Sequence, residues 1–349
     1  GMAALADAPV LLVGDIDRGG VFASLYGTVM LLEEDERARI GGLVINKFRG
    51  DVDILKPGLT MLEDLTGKPV VGVVPYAKLD IDDEDSLSDQ LEQTNRGTLL
   101  DIAVVRLPRI SNFTDFSALP RVPGVGVRYV DRPDQLEGAD LILLPGSKST
   151  IADLKWLRES GLEAQILKQH AAGTPVFGVC GGYQMMGRAI HDPEGSEGGG
   201  SIRGMGLLPT ETVFRSDKTT TQASGVLLDI EGDLAALSSA HTKGYEIHMG
   251  ETTLLEGAKP LQRLTRGTET VLDGCQQGNA YGTYLHGIFD ESEVVQGLAQ
   301  ALADKKGVTL DAHAMDVRQY KEMQYDKLAD TVRAALDMDK IYQLLEGNA

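Results

Sequence analysis

Short apolar runs, each closed by a polar or glycine-bearing turn and followed by a helical-period stretch, recur along the chain and predict parallel strands joined by helices. Val10-Leu11-Leu12-Val13-Gly14 is the first such run, with Asp15-Ile16-Asp17-Arg18-Gly19-Gly20 as its exit loop and a helix expected from Val21 to Leu32. Ile40 to Ile45 repeats the plan with the exit loop Asn46-Lys47-Phe48-Arg49-Gly50-Asp51 and an amphipathic helix from Ile54 to Thr66, and Val70 to Val74 is the third strand. Three strands with two crossover helices make a small sheet that would leave one edge and one face uncovered, so a further segment upstream is expected.

A second series begins at Leu99. Leu99 to Leu107, Val125 to Val130 and Leu141 to Leu144 read as buried strands, and Ile151, Leu154, Leu157 and Leu162 mark the apolar side of a helix after the third. Trp156 on that helix reads as a packing residue. Gly204 to Phe214 resumes strand character, and Gly244 to Thr252 alternates apolar and polar residues as a half-buried strand does. Asp192 to Gly200, rich in glycine and acid, is expected to be a mobile surface loop. From Val317 to Leu345, apolar residues at helical spacing predict helices packed on the second domain.

Between the two series, Lys78 to Arg96 carries seven acids with few apolar residues, a composition suited to a linker. The length of 349 residues fits two domains, and 41 glycines with only 5% aromatics favour an α/β chain with many tight turns over a β-sandwich. A formal net charge of −19 disfavours nucleic-acid or anionic-membrane partners, and no apolar run reaches the length of a membrane span. The two cysteines, Cys180 and Cys275, suit a reducing cytoplasm better than a disulfide framework, and the histidines show no zinc-ligand spacing.

Chemistry concentrates at Pro175-Val176-Phe177-Gly178-Val179-Cys180-Gly181-Gly182-Tyr183-Gln184, which reads as a covered strand, a sharp turn holding a cysteine, and an immediate helix. A helix N-terminus behind the sulfur favours a thiolate and offers N–H donors to an oxyanion. Taken alone, an unpaired cysteine is more often a small buried hydrophobe, so a second feature must decide. Tyr281-Gly282-Thr283-Tyr284-Leu285-His286-Gly287-Ile288-Phe289-Asp290 supplies it, a strand-like run ending in a candidate general base at His286. His248 shares a strand face with Glu246 and reads as half of a polar pair, leaving the base at His286.

These two motifs, with Tyr245-Glu246-Ile247-His248, resemble the glutamine amidotransferase domain of the cobyric acid synthase family, and the resemblance covers nearly the whole chain. It implies an α/β chain in which a partial P-loop-type, dethiobiotin synthetase-like parallel sheet precedes a class I, flavodoxin-like amidotransferase domain. It implies catalysis by Cys180 and His286, with oxyanion or glutamine contacts at Gly146, Gly181, Tyr183 and Gln184. Asn46 is implied to meet a nucleotide base, and Asp15 and Asp17 to meet Mg²⁺; read from the residues alone, the two acids serve equally as an N-cap and a solvated loop acid. Many amidotransferases place a glutamate two residues beyond the histidine, where this chain has Ile288, so the third member of a triad stays unassigned.

The implied activity is glutamine-dependent amidation of the b, d, e and g carboxylates of adenosylcobyrinic acid a,c-diamide, a corrinoid, using ATP and Mg²⁺. The sequence contains no G-x-x-x-x-G-K-[ST]; Gly146-Ser147-Lys148-Ser149-Thr150 lacks the required spacing. The expected plan is therefore 1–80 as the C-terminal part of the synthetase domain, 81–98 as linker, 99–300 as amidotransferase and 301–349 as a helical extension packed on it. The P-loop is expected from a separate polypeptide or a segment upstream. Two alternatives stay open: an amidotransferase acting on another acid, such as cobyrinic acid or a cell-wall intermediate, and a non-catalytic binding module.

Overall fold

The computed structural model describes residues 1–17, 19–79, 81, 98–310 and 317–347. The chain divides into two compact units, 1–81 with 320–349 and 82–319. Most of the expected linker, residues 82–97, lies outside the described residues. Among the described residues, no helix is long and apolar enough to cross a membrane.

In the first unit, strands Val10–Asp15, Ile40–Phe48 and Val70–Pro75 form a parallel sheet in that order. Helices Val21–Leu31 and Val52–Thr66 pack Val21, Leu25 and Leu62 against Leu43, Ile45 and Val73. Asp51 caps the second helix by accepting the Asp53 amide at 2.9 Å, and Gly67 ends it at φ 64°.

The other face of this sheet overturns one expectation. Instead of packing on the second domain, the end of the chain belongs to the first unit: Val332, Ala335 and Leu336 cover Val44, Val71 and Val74. The Asp337 amide donates to the Val71 carbonyl at 2.8 Å, and Leu336 bridges to Gly72. A Cβ on Gly72 would overlap the Ala335 carbonyl, so the approach needs a bare backbone there. Helical periodicity identified the apolar stripe of Val317–Ala335 but carried no information about which sheet it would cover. Helix Ser292–Lys306, by contrast, stays with the second unit.

The second unit holds a six-stranded sheet ordered Val125–Val130, Leu100–Val105, Leu141–Leu144, Val176–Val179, Ala280–Thr283, Cys275–Gln277. All neighbours are parallel except the last pair. Leu141–Leu144 and Val176–Val179 are buried along their whole length, as expected of strands covered on both faces. A second sheet carries Gly200–Arg203, Ala189–Asp192, Thr210–Leu227, Gln262–Arg266 and Glu269–Asp273, with His241–Leu254 paired to Thr210–Leu227.

The segment expected to be a mobile loop is tied down. Buried Asp192 accepts the amides of Ser196, Glu197 and Gly199 at 2.7 to 2.8 Å, and Glu197 in turn accepts the Ile151 amide at 2.8 Å. Acid side chains here satisfy backbone donors rather than solvate a free loop.

Candidate active site

Parallel strands deliver their exit loops to one edge of the sheet. Three of those loops in the second unit meet around Cys180.

The cysteine follows strand Val176–Val179 and is the N-cap of helix Gly181–Met186, with φ 52° and ψ −109°. A side chain at positive φ is strained, and it persists here because the surroundings fix it. The Cys180 amide donates to the Thr283 carbonyl at 2.8 Å, and the Gln184 amide to the Cys180 carbonyl at 3.0 Å. A Cβ on Gly182 would overlap the Leu144 carbonyl, which explains the paired glycines after the cysteine. Cys180 is 8% exposed, and its Sγ lies 3.7 Å from the Ile247 carbonyl.

His286 comes from the loop after the neighbouring strand, Ala280–Thr283. Its amide donates to the Tyr245 carbonyl at 2.8 Å, and the Tyr245 amide donates back at 3.1 Å. The Tyr245 ring lies along the imidazole at 5.2 Å between centroids and 21° between planes. The Asn112 carboxamide donates to the Tyr245 hydroxyl.

Asp115 was not foreseen from the sequence. Its Oδ2 lies 2.7 Å from His286 Nδ1, and its Oδ1 accepts the Gly287 amide at 3.0 Å. Asp115 sits in the 3-10 turn Phe113–Phe116, whose two phenylalanines are buried. Phe116 packs against Phe289 at 5.9 Å between centroids, so one aromatic contact joins the segment carrying the carboxylate to the segment carrying the imidazole. Ile288, at the position where a glutamate was sought, is fully buried in the core. The available signal was positional: Asp115 lies in the loop leaving strand Leu100–Val105 of the same parallel sheet.

With Asp115 on Nδ1, the ring's other nitrogen, Nε2, is buried and has no hydrogen-bond partner among the described residues. Burial disfavours the charged ring. The Asp115 carboxylate, by its charge and its hydrogen bond, and then the Cys180 sulfur overcome that penalty and raise His286 from 6.5 to about 10. The sulfur thus adds to the carboxylate in favouring the charged ring. Cys275 is different: burial pushes its thiol up to about 11, and its sulfur meets backbone groups of Lys259 and Gln276.

The remaining candidates separate into two groups. Gly146 is at the site: a Cβ there would stand 3.4 Å from His286 Cε1 and 2.7 Å from Ser111 Oγ. Gly181 lies beside the same loop, with the Ser147 amide nitrogen 2.9 Å from where its Cβ would be. Gln184 is buried, accepting from Thr150 Oγ1 at 3.1 Å and donating to the Tyr284 hydroxyl at 3.1 Å. Tyr183 is 1% exposed, and its ring packs edge-on to Tyr284 in the core.

His248 stacks on Tyr284 and bonds through Nδ1 to the Gly250 carbonyl at 2.8 Å. Glu246 binds Arg266 through both oxygens, at 2.6 and 2.7 Å. Burial raises the Glu246 pKa, but the His248 ring and the Arg266 guanidinium outweigh it and leave it lowered.

In the first unit, Asp15 pairs with Lys47 at 2.8 Å and Asp17 with Arg49 at 3.1 Å, while Asn46 accepts the Lys47 amide at 2.9 Å. Arg49 also lies over the Tyr76 ring. Among the described residues, no three His, Cys, Asp or Glu groups converge on a possible metal position. As arranged here, each of the two carboxylates is engaged by a cation.

A model of the CobB/CobQ-like glutamine amidotransferase domain matches residues 101–294. Curated cobyric acid synthases are similar along almost the entire chain. Those of Lachnoclostridium phytofermentans and Ruminiclostridium cellulolyticum are 54% and 53% identical over 99% of this chain, covering 70% and 68% of their own length. That of Citrobacter koseri is 50% identical over 99% of this chain and 69% of its own. A solved glutamine amidotransferase aligns with 59% of this chain and 99% of its own, at 22% identity and a TM-score of 0.40.

Proposed function

The chain belongs to the cobyric acid synthase family, and from that membership we propose that its second unit hydrolyses glutamine at Cys180 with His286 and Asp115. The observation that carries this reading is the buried Asp115 carboxylate at 2.7 Å from His286 Nδ1, beside a cysteine held at positive φ at the start of a helix. An imidazolium is of little use to a packing core but is what a thiolate nucleophile needs as its partner.

In this reading the Cys180 proton resides on His286 Nε2 before reaction. The thiolate attacks the side-chain amide carbon of glutamine, and N–H groups at Gly181 and in the Gly146–Ser147 loop stabilise the oxyanion. The carbon–nitrogen bond then breaks as His286 protonates the leaving nitrogen, giving ammonia and a γ-glutamyl thioester. His286, now neutral, takes a proton from water as the hydroxide attacks the thioester; glutamate leaves and the proton returns the pair to its first state. Asp115 holds Nδ1–H throughout, so that Nε2 always faces the reacting atoms. Gln184, fixed by Thr150 and Tyr284, lines the glutamine pocket.

For the wider reaction, ammonia is delivered to peripheral carboxylates of adenosylcobyrinic acid a,c-diamide, activated as phosphates with ATP and Mg²⁺. The first unit is the C-terminal part of a P-loop-type synthetase domain, with Asn46 at the nucleotide base. Its own carboxylates are engaged by Lys47 and Arg49, so no step is assigned to a metal there. The test is glutamine hydrolysis by the purified chain and its Cys180→Ala variant. Ammonia release should vanish with the sulfur, and release that survives the change removes the catalytic assignment.

A further inference from the structure

Asp153, in helix Thr150–Glu159, is fully buried and carries an unusual set of partners. Its Oδ2 accepts from Ser147 Oγ at 2.6 Å and from the Arg109 amide at 3.2 Å, and its Oδ1 accepts from Arg109 Nη1 at 3.1 Å. Ser147 Oγ in turn accepts the Ser149 amide at 2.9 Å. A buried carboxylate is costly unless donors repay it, and these donors come from two separate loops.

One is the Gly146–Ser147 loop, which runs beside Gly181 and His286. The other begins at Arg109 and leads through Asn112 to Asp115, behind His286. The loops also pair directly, Ile110 with Ser147 and Ser111 with Gly146, and the Lys148 amide donates to the Arg109 carbonyl at 2.8 Å.

An acid in the first turn of a helix has an ordinary explanation as a partner for the helix's own free amides. That role is already filled: the Ile151 amide goes to Glu197, and Asp153 accepts from no amide of its own helix. Its carboxylate is spent on the loops.

We propose that Asp153 is a positioning residue for the acyl transfer described above, fixing the register between the loop that faces the oxyanion and the loop that carries Asp115. It touches no reacting atom. Its effect reaches the reaction through Ser147, whose amide nitrogen stands 2.9 Å from the Cβ position of Gly181. The inference rests on the glutaminase reading.

The test uses the full chain and its Asp153→Ala, Asp153→Asn and Ser147→Ala variants. It compares kcat and KM for glutamine, melting temperature, and affinity for an aldehyde analogue of glutamine that forms a hemithioacetal with Cys180. Loss of one oxyanion donor costs about 10²-fold or more in kcat. Asp153→Ala should therefore lose about that factor in kcat and weaken aldehyde binding in parallel, with little change in KM. Asp153→Asn, which keeps an acceptor, should recover part of both losses. Ser147→Ala, which leaves Asp153 its Arg109 partner, should move both in the same direction. A fall in melting temperature with kcat and aldehyde affinity intact overturns the inference and leaves the functional reading standing. A wild-type chain inert to both glutamine and the aldehyde overturns both.

Discussion

Replacing Asp115 with asparagine tests the coupling at the centre of the site. The carboxylate is buried, binds His286 Nδ1 at 2.7 Å and accepts the Gly287 amide at 3.0 Å. Burial works against the imidazolium, and the Asp115 carboxylate is the foremost group that reverses it. The interval from 6.5 to about 10 represents about 5 kcal/mol of preference for the charged ring, at about 1.4 kcal/mol per tenfold.

Asparagine retains the shape and an oxygen acceptor but not the charge. His286 should then titrate well below its wild-type value, because burial is opposed by the Cys180 sulfur without the carboxylate. The share of charged ring should fall, and kcat for glutamine hydrolysis should fall by about 10²- to 10⁴-fold, the range that a positioned acid–base group contributes. The assays are the pH dependence of the His286 Cε1–H resonance and steady-state ammonia release. An unchanged titration, or an unchanged kcat, would refute the assignment of Asp115.

The same pair sets a stability signature: with a folded pKa above the unfolded value, the His286 contribution is complete below 6.5 and lost as pH rises through about 10. Alkaline urea titrations should show that loss in wild type and not in Asp115→Asn. Arg266→Met should strip the buried Glu246 carboxylate of its two-point partner and leave it His248, costing up to about 3 to 5 kcal/mol near neutrality. The cost should shrink toward acid pH as Glu246 protonates, visible as converging denaturant midpoints. Gly72→Ala should push the chain end off the first sheet through the Ala335 carbonyl, costing about 1 to 3 kcal/mol and raising amide exchange at Leu336 and Asp337.

Local features proved the most legible. Cys180 could be read because a strand, a bare-backbone turn and a helix follow one another directly from Val176 to Met186, and each leaves a residue-type signature. His286 could be read because the same parallel sheet ends beside it. Asp115 could not, because its partner lies 171 residues away and the Phe-Thr-Asp-Phe turn looks like any connection between strands. Asp192 and Glu197 show the converse: composition suggested a solvated loop, while their carboxylates bind backbone amides. The apolar stripe at Val332 and Leu336 was visible, but its choice of sheet depends on surface shape at Gly72, which periodicity does not encode.

The most direct measurement is the site of modification after reaction with a diazoketone analogue of glutamine, read by intact mass and peptide mapping. One adduct on Cys180, with Cys275 untouched and glutamine protecting against it, is the predicted result. An adduct on Cys275, or none at all on a protein that still releases ammonia from glutamine, would contradict it.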